Sequence, residues 1–219
     1  GEKDPIEISV VRDVITIPTI SSALRPDGVF VIELYNFSES SPDLFRKALR
    51  EFILSGSDKL ILDLRGNPGG YLEAAIDMAS WFLPPGKVVV SEDFGSKKEP
   101  TVFRSRGYDI FNARLKFAIL IDGGSASASE ILAGALKEQG VAKLVGEKTF
   151  GKGSVQELVK ITPDTSLKVT IARWLTPDGV SISKAGVAPD IEVKNTKEGI
   201  EKGVDAQKDK AVEYLLNLK

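Results

Sequence analysis

Three apolar runs alternate with helical patterns through the middle of the chain. Residues 29–34, 59–64 and 117–121 are almost continuously apolar, which is typical of strands buried on both faces. Each run is followed by apolar positions that recur every three or four residues, the spacing of an amphipathic helix. This alternation predicts an α/β fold with a mainly parallel central sheet and flanking helices.

The ends of the first helix are marked by specific residues. Ser41 before Pro42 predicts an N-cap followed by proline in the first turn, and Gly56 predicts the end of the helix. Further helices are predicted over residues 72–83, 128–136 and 205–218. Shorter strands are predicted at residues 6–10, 14–17, 88–90, 102–103, 142–145, 155–161 and 167–174.

The composition removes most of the familiar catalytic groups. The 219 residues include no cysteine and no histidine, which excludes thiol nucleophiles, thiolate or imidazole metal sites and Ser-His-Asp catalysis. Acid–base chemistry near neutral pH must then come from a carboxylate, lysine or tyrosine whose pKa is displaced. The net charge of −2 argues against nucleic acid or an anionic membrane as the main partner. No apolar run approaches the roughly 20 residues of a membrane span, and no signal peptide opens the chain.

The first of three glycine turns, residues 65–70, connects an apolar run to a helix. Gly69 and Gly70 lack side chains at a point where free backbone N–H groups could approach an anion or a developing oxyanion. A tight left-handed turn also requires glycine, and the turn alone favours this structural interpretation.

The second glycine turn, residues 122–124, leads into three serines. Ser127 and Glu130 have the spacing of a capping box, in which a hydroxyl and a carboxylate satisfy the first N–H groups of a helix. Spacing alone favours that role. A serine at a helix N-terminus beside a glycine turn is also how a nucleophile would be presented.

The third glycine turn, residues 146–153, matches a P-loop except that Gly153 stands where Ser or Thr would hold Mg²⁺. Asp63 and Asp122 end apolar runs, as the acidic residue of such nucleotidases does, but both precede the loop. Residues 155–161 favour a strand over the long helix that a P-loop requires.

A different use of this turn makes Lys152 a general base. Its pKa would have to fall from about 10.4 to about 7–8, which burial among apolar groups can achieve. Without histidine, serine with lysine is the remaining way to activate a serine nucleophile in this chain. Taken in isolation, the turn favours an ordinary loop lysine.

Five segments together resemble the C-terminal processing peptidases, or tail-specific proteases, of the S41 serine peptidase family. They occur in the family's order, and the resemblance extends from about residue 6 to the end of the chain. The segments are 62–70 (LDLRGNPGG), 124–131 (GSASASEI), 145–156 (VGEKTFGKGSVQ), 173–179 (RWLTPDG) and 186–190 (GVAPD).

The resemblance implies a serine endopeptidase that acts through an acyl-enzyme and needs no metal or other cofactor. The family's nucleophile falls on Ser127 and its general base on Lys152, with Gln156 as the residue that orients the lysine. If residues 152–156 form a strand, these last two side chains share one face. The family's oxyanion donors fall on the backbone N–H groups of Gly70 and Ala128.

The resemblance also implies partners, location and domains. The expected substrate is a protein or peptide with an apolar C-terminal region, the expected location in bacteria is extracytoplasmic, and a homo-oligomer is compatible with the family. Family members carry a PDZ domain ahead of the core, so we expect residues 1–13 to hold its last strand and residues 14–219 to form the peptidase core. In some members an acidic residue lies eleven positions after the serine; here that position is Glu138 rather than Asp and is left out of the site.

Two other functions stay open. A peptide-binding or scaffold module could keep this fold and have little activity without its PDZ domain. The third and least favoured function is that of a P-loop nucleotidase.

Overall fold

The three long apolar runs form adjacent strands in one sheet. The computed structural model describes residue 9, residues 18–111 and residues 114–218. Its strands, in chain order, are β1 (Ile20–Leu24), β2 (Phe30–Leu34), β3 (Lys59–Asp63), β4 (Val88–Asp93), β5 (Thr101–Arg104), β6 (Lys116–Ile121), β7 (Lys143–Gly146), β8 (Ser154–Lys160), β9 (Ser166–Leu175) and β10 (Ile191–Glu192). Its helices are α1 (Ser41–Leu54), α2 (Leu72–Ser80), α3 (Ala128–Glu138), α4 (Lys197–Glu201) and α5 (Ala206–Asn217).

The central sheet has the order β1-β2-β3-β6-β7-β10. β1 runs antiparallel to β2, and all other neighbours in this sheet are parallel. The predicted fold class, α/β with a mainly parallel sheet, is therefore confirmed. Because parallel strands end at the same edge, the loops that follow β3, β6 and β7 emerge together.

Both faces of the central sheet are covered by helices. Alternate residues of β3 point to opposite sides, so that Leu60 and Leu62 pack with α1, α2 and α3 while Ile61 packs with α5. All three side chains are fully buried. This two-sided burial explains the continuous apolar runs in the sequence.

The second sheet is antiparallel, with the order β5-β4-β9-β8. Its last strand, β8, begins two residues after Lys152. The loop that follows β7 therefore passes from the central sheet into an edge strand of the second sheet. A strand at this position contradicts the P-loop interpretation, which requires a helix there.

Several predicted element ends differ from the structure. α1 begins at Ser41, so its N-cap is Ser40 and not Ser41 as predicted. α2 ends at Ser80, three residues before the predicted end, because Pro84 has no N–H to donate to the Ser80 carbonyl, which instead accepts the Asp109 N–H at 3.1 Å. β1, β10 and α4 were not predicted. The strands predicted at residues 6–10 and 14–17 lie outside the described residues, apart from residue 9, so the division into residues 1–13 and 14–219 stays a prediction.

Within residues 18–111 and 114–218, no helix is long and apolar enough to cross a membrane.

Candidate functional site

The first two glycine turns interlock at the carboxyl ends of β3 and β6. The N–H of Ala126 and the hydroxyl of Ser129 both donate to the carbonyl oxygen of Asn67, each at 3.0 Å. The hydroxyl of Ser125 donates to the Leu64 carbonyl at 2.8 Å. These contacts fix the start of α3 against the turn that follows β3.

Asn67 holds the first turn in shape from inside the protein. It is fully buried, donates to the Leu34 carbonyl at 2.7 Å, and accepts the Gly69 N–H at 2.9 Å. Sequence reasoning did not identify this residue as functional, because its partners lie on another strand and within its own turn.

Gly69 approaches Ser127 too closely to carry a side chain. A Cβ at position 69 would lie 2.6 Å from the carbonyl oxygen of Ala126 and 2.8 Å from the Cβ of Ser127. Its φ of +96° is also in the region that favours glycine. The turn prediction is confirmed, and the close neighbour is the serine that the resemblance identifies as the nucleophile.

Ser127 has an unusual backbone conformation. Its φ and ψ are 57° and −115°, a region that non-glycine residues adopt at a cost in free energy and that occurs at active sites. It stands directly before α3, and the Glu130 carboxylate accepts its N–H at 2.8 Å, which is the carboxylate half of the predicted capping box. The side chain is half-buried, so it is accessible at the surface.

Two backbone N–H groups beside Ser127 are available for a ligand. Among the residues that the structure describes, neither the Gly70 N–H nor the Ala128 N–H donates a hydrogen bond to a protein group. The N–H of Ala128 is one of the first in α3, where helix geometry leaves N–H groups without intrahelical acceptors. These are the two donors to which the resemblance assigns the oxyanion.

Glu130 joins the turn after β7 to the start of α3. It is fully buried, and its Oε2 atom accepts the backbone N–H of Lys152 at 2.9 Å together with that of Ser127. Its Oε1 atom accepts the Gly151 N–H at 2.7 Å and the Thr149 hydroxyl at 2.6 Å. Sequence spacing gave Glu130 only a local capping role, since these partners lie 19 to 22 residues away along the chain.

The side chain of Lys152 is exposed, so the burial that a lysine base requires is not provided by the described residues. Among them, no side-chain hydrogen bond joins Lys152 to Ser127 or to Gln156. Lys152 lies two residues before β8 and Gln156 is exposed within it, so the expected shared strand face is not formed at Lys152. The structure thus brings the backbones of Ser127 and Lys152 together, whereas their side chains are not hydrogen-bonded.

Glu138 lies at the opposite end of α3 from Ser127. Its carboxylate accepts the Asp178 N–H at 2.8 Å, on the turn that follows β9. Eleven residues of helix correspond to about 16 Å, so Glu138 is remote from the serine.

A partly buried ion-pair network flanks the first glycine turn. Arg65 donates to Asp63 at 2.6 Å and to Asp205 at 2.8 Å, and it also contacts Gln207. Burial opposes the charge of Arg65, but hydrogen bonds to Asp63 and Asp205 outweigh that effect and raise its pKa. Burial likewise opposes ionisation of Asp205, while the bonds from Arg65 and from the Lys208 N–H hold its pKa well below its usual range. The network ties the N-terminus of α5 to the strand that carries the turn.

The comparisons with known proteins agree on one protein family. Residues 28–193 match the family model described as peptidase family S41. A carboxyl-terminal-processing protease of Synechocystis sp. (strain ATCC 27184 / PCC 6803 / Kazusa) is 38% identical over 194 residues, covering 87% of this chain and 44% of the relative. The carboxy-terminal processing protease CtpA of Bacillus subtilis (strain 168) is 35% identical over 191 residues, covering 86% and 40%. The chain thus spans less than half the length of these relatives.

A solved structure agrees with the sequence relatives. The photosystem II D1 C-terminal processing protease superposes with a TM-score of 0.74 at 32% identity, covering 82% of this chain and 49% of that one. The match of the family model over most of the chain, together with these relatives, shows that this protein belongs to peptidase family S41.

Proposed function

We propose that this chain is the core of a serine endopeptidase that cleaves proteins or peptides near their C-terminus. Ser127 is the nucleophile, Lys152 the general base, and Gln156 the residue that orients the lysine. The backbone N–H groups of Gly70 and Ala128 stabilise the oxyanion. The relatives that are named as carboxy-terminal processing proteases support this substrate class.

One observation carries the proposal: Ser127 and Lys152 are held by a single buried oxygen of Glu130. The serine also has a strained φ, and the two N–H groups beside it have no acceptor among the residues that the structure describes. A structural cap alone explains the bond from Glu130 to Ser127. It does not explain why the same carboxylate also binds the loop that carries the lysine.

The proposed reaction proceeds in two halves. Neutral Lys152 takes the hydroxyl proton of Ser127 while the serine oxygen attacks the scissile carbonyl carbon, and the carbonyl oxygen becomes an oxyanion held by the two N–H groups. The C–N bond then breaks, the leaving amine takes the proton from the lysine, and an ester to Ser127 remains. Water attacks this ester, again with Lys152 as base, and releases the new carboxylate together with the serine.

The exposure of Lys152 gives the substrate a role in forming the base. Burial favours the neutral form of a lysine, and the described residues leave this side chain in solvent. A peptide lying over the site would cover it. In this proposal the base becomes competent when substrate is bound.

The same exposure supports a second candidate, a peptide-binding module with little activity of its own. Among the described residues, no side-chain hydrogen bond joins Ser127 to Lys152, which agrees with a binding module in which this pair is not catalytic. The extracytoplasmic location and self-association that the resemblance implies are further proposals, and neither distinguishes these two functions.

Hydrolysis of an unstructured peptide with apolar C-terminal residues tests the proposal. Cleavage should be lost in Ser127→Ala and in Lys152→Ala but kept in Lys148→Ala, a matched exposed lysine of the same loop. Mass spectrometry of the quenched reaction should show a peptide ester that is absent from Ser127→Ala. Equal cleavage by all variants would end the Ser–Lys mechanism, whereas peptide binding without turnover by the wild type would favour the binding module.

A further inference from the structure

Phe150 stands out among the aromatic residues of the chain. It exposes 67% of its surface, and it is the only exposed phenylalanine in the described part of the chain. Burying a phenylalanine is strongly favourable, so a large exposed ring in an ordered loop is left without the contact that its chemistry favours.

Hydrogen bonds fix the backbone at Phe150 and at both of its neighbours. Its own N–H donates to the Ser125 carbonyl at 3.0 Å. On one side Thr149 is buried and bonds to Glu130, and on the other Gly151 donates to the same carboxylate. The carbonyl of Gly151 also accepts the Lys184 N–H at 2.9 Å. The backbone that carries the exposed ring is therefore fixed on both sides.

The backbone of Phe150 lies beside the residues of the proposed reaction. Phe150 is two residues before Lys152, and its hydrogen bond to Ser125 places it next to the turn that carries Ser127. A rigid aromatic side chain loses little conformational entropy when a ligand covers it, which is the property of aromatic anchors at binding sites.

We propose that the ring of Phe150 forms the wall of a substrate subsite that receives an aliphatic or aromatic side chain next to the scissile bond. This inference rests on the proposed function and adds a specificity-determining residue to it. It assigns the preference for an apolar residue to one side chain of the loop between β7 and β8.

Peptide affinity measured without turnover tests the subsite directly. In a Ser127→Ala background, a fluorescent peptide with leucines around the expected cleavage point is compared by anisotropy with one carrying asparagines there. Phe150→Ala should weaken binding of the leucine peptide about tenfold and of the asparagine peptide less than about twofold. Phe150→Leu should retain most of the affinity, because the wall stays apolar.

Leu158→Ala is the matched control, since Leu158 is equally exposed at 68% but lies well along β8, away from Lys152. Leu158→Ala should leave the affinity for the leucine peptide and for the asparagine peptide unchanged.

The inference is overturned if Phe150→Ala weakens the binding of both peptides equally or of neither peptide. It is also overturned if the Ser127→Ala parent binds no peptide. With Ser127 intact, the leucine peptide should lose about tenfold in kcat/KM, mainly through KM. Binding that depends on Phe150 without any cleavage would overturn the proposed function and leave the subsite standing.

Discussion

Oε2 of Glu130 accepts a hydrogen bond from the backbone N–H of Lys152 at 2.9 Å. The same atom accepts the Ser127 N–H, so the proposed nucleophile and base are attached to one point in the interior. A buried carboxylate with several donors aimed at it fixes their relative positions, because each donor would be left unsatisfied if it moved away.

Glu130→Gln tests this attachment with almost no change in shape. The amide NH₂ that replaces one carboxylate oxygen cannot accept, so at least one of the four donors loses its partner. We expect a loss of about 2–4 kcal/mol in the free energy of unfolding by urea. We expect kcat/KM for peptide hydrolysis to fall at least a hundredfold, since small displacements of catalytic groups have effects of about this size.

Glu138→Gln on the same helix is the control. Within the described part of the chain, Glu138 makes one exposed side-chain hydrogen bond, to the Asp178 N–H, so its replacement should cost less than about 1 kcal/mol and leave hydrolysis unchanged. Equal losses in the two variants would show that Glu130 acts only as a helix residue.

Gly69→Ala probes the contact between the first glycine turn and the nucleophile. The new methyl group would meet the Ala126 carbonyl at 2.6 Å and the Ser127 Cβ at 2.8 Å, so either the turn or the start of α3 must shift. We expect a destabilisation of about 1–3 kcal/mol and a loss of at least a hundredfold in kcat/KM. Urea unfolding and peptide hydrolysis measure the two effects.

Gly66→Ala separates backbone strain from this clash. Gly66 is in the same turn with φ +64°, but no atom of the other described residues lies within 4 Å of the position that its new methyl group would occupy. The substitution should cost about 1 kcal/mol through strain alone and retain most of the activity. Similar activity losses in both variants would contradict the role given to the Gly69 contact.

The features of the fold that depend on the local pattern of apolar residues could be predicted from the sequence. The apolar run that forms β3 and the spacing along α3 were sufficient for the fold class, because burial on both faces of a sheet leaves a continuous signal. β1 was missed because Ser21 and Ser22 interrupt its apolar pattern. The Ser21 hydroxyl bonds across the sheet to Glu33, a partner twelve residues away that no local window contains.

The site residues could be predicted from the sequence motifs taken together, but not from the residue spacing within any single turn. Ser127 and Lys152 were each better explained by structural roles when taken alone, and only the combined motifs made them a pair. The link through Glu130 depends on the loops after β6 and β7 meeting at the edge of the sheet, and it becomes visible only when the strand order is known. The exposure of Lys152 was not predicted, because burial of a loop side chain depends on what packs over it.

Asp205 makes stability depend on pH. Its pKa is held below that of an unfolded aspartate, so its stabilising contribution is complete above about pH 4 and is lost as the pH falls towards the folded-state value. Asp205→Asn should therefore lower the free energy of unfolding by about 1–2 kcal/mol at pH 7, allowing for partial exposure of the side chain. Urea unfolding from pH 7 to pH 3 should show this difference shrinking below about pH 4.

Asp27→Asn provides the comparison for a surface pair. A hydrogen bond from Arg25 also lowers the pKa of Asp27, but the Arg25 side chain is 33% exposed, whereas that of Arg65 is 15% exposed and bonds to two carboxylates. Replacing Asp27 should cost less than about 1 kcal/mol at every pH. A difference between wild type and Asp205→Asn that does not change with pH would refute the assigned role of the Asp205 carboxylate.

The strained backbone at Ser127 predicts that activity is maintained at the expense of stability. Ser127→Gly and Ser127→Ala both remove the hydroxyl, but only glycine adopts φ 57°, ψ −115° without a steric penalty. After the entropic cost of glycine in the unfolded chain is subtracted, we expect Ser127→Gly to be more stable than Ser127→Ala by about 1 kcal/mol. Both should be inactive, and parallel urea titrations measure the difference.

The same pair of substitutions at Ser96, a surface serine whose φ is not positive, should give the opposite order, because glycine there gains no relief from strain. A less stable Ser127→Gly would mean that the turn before α3 is not strained.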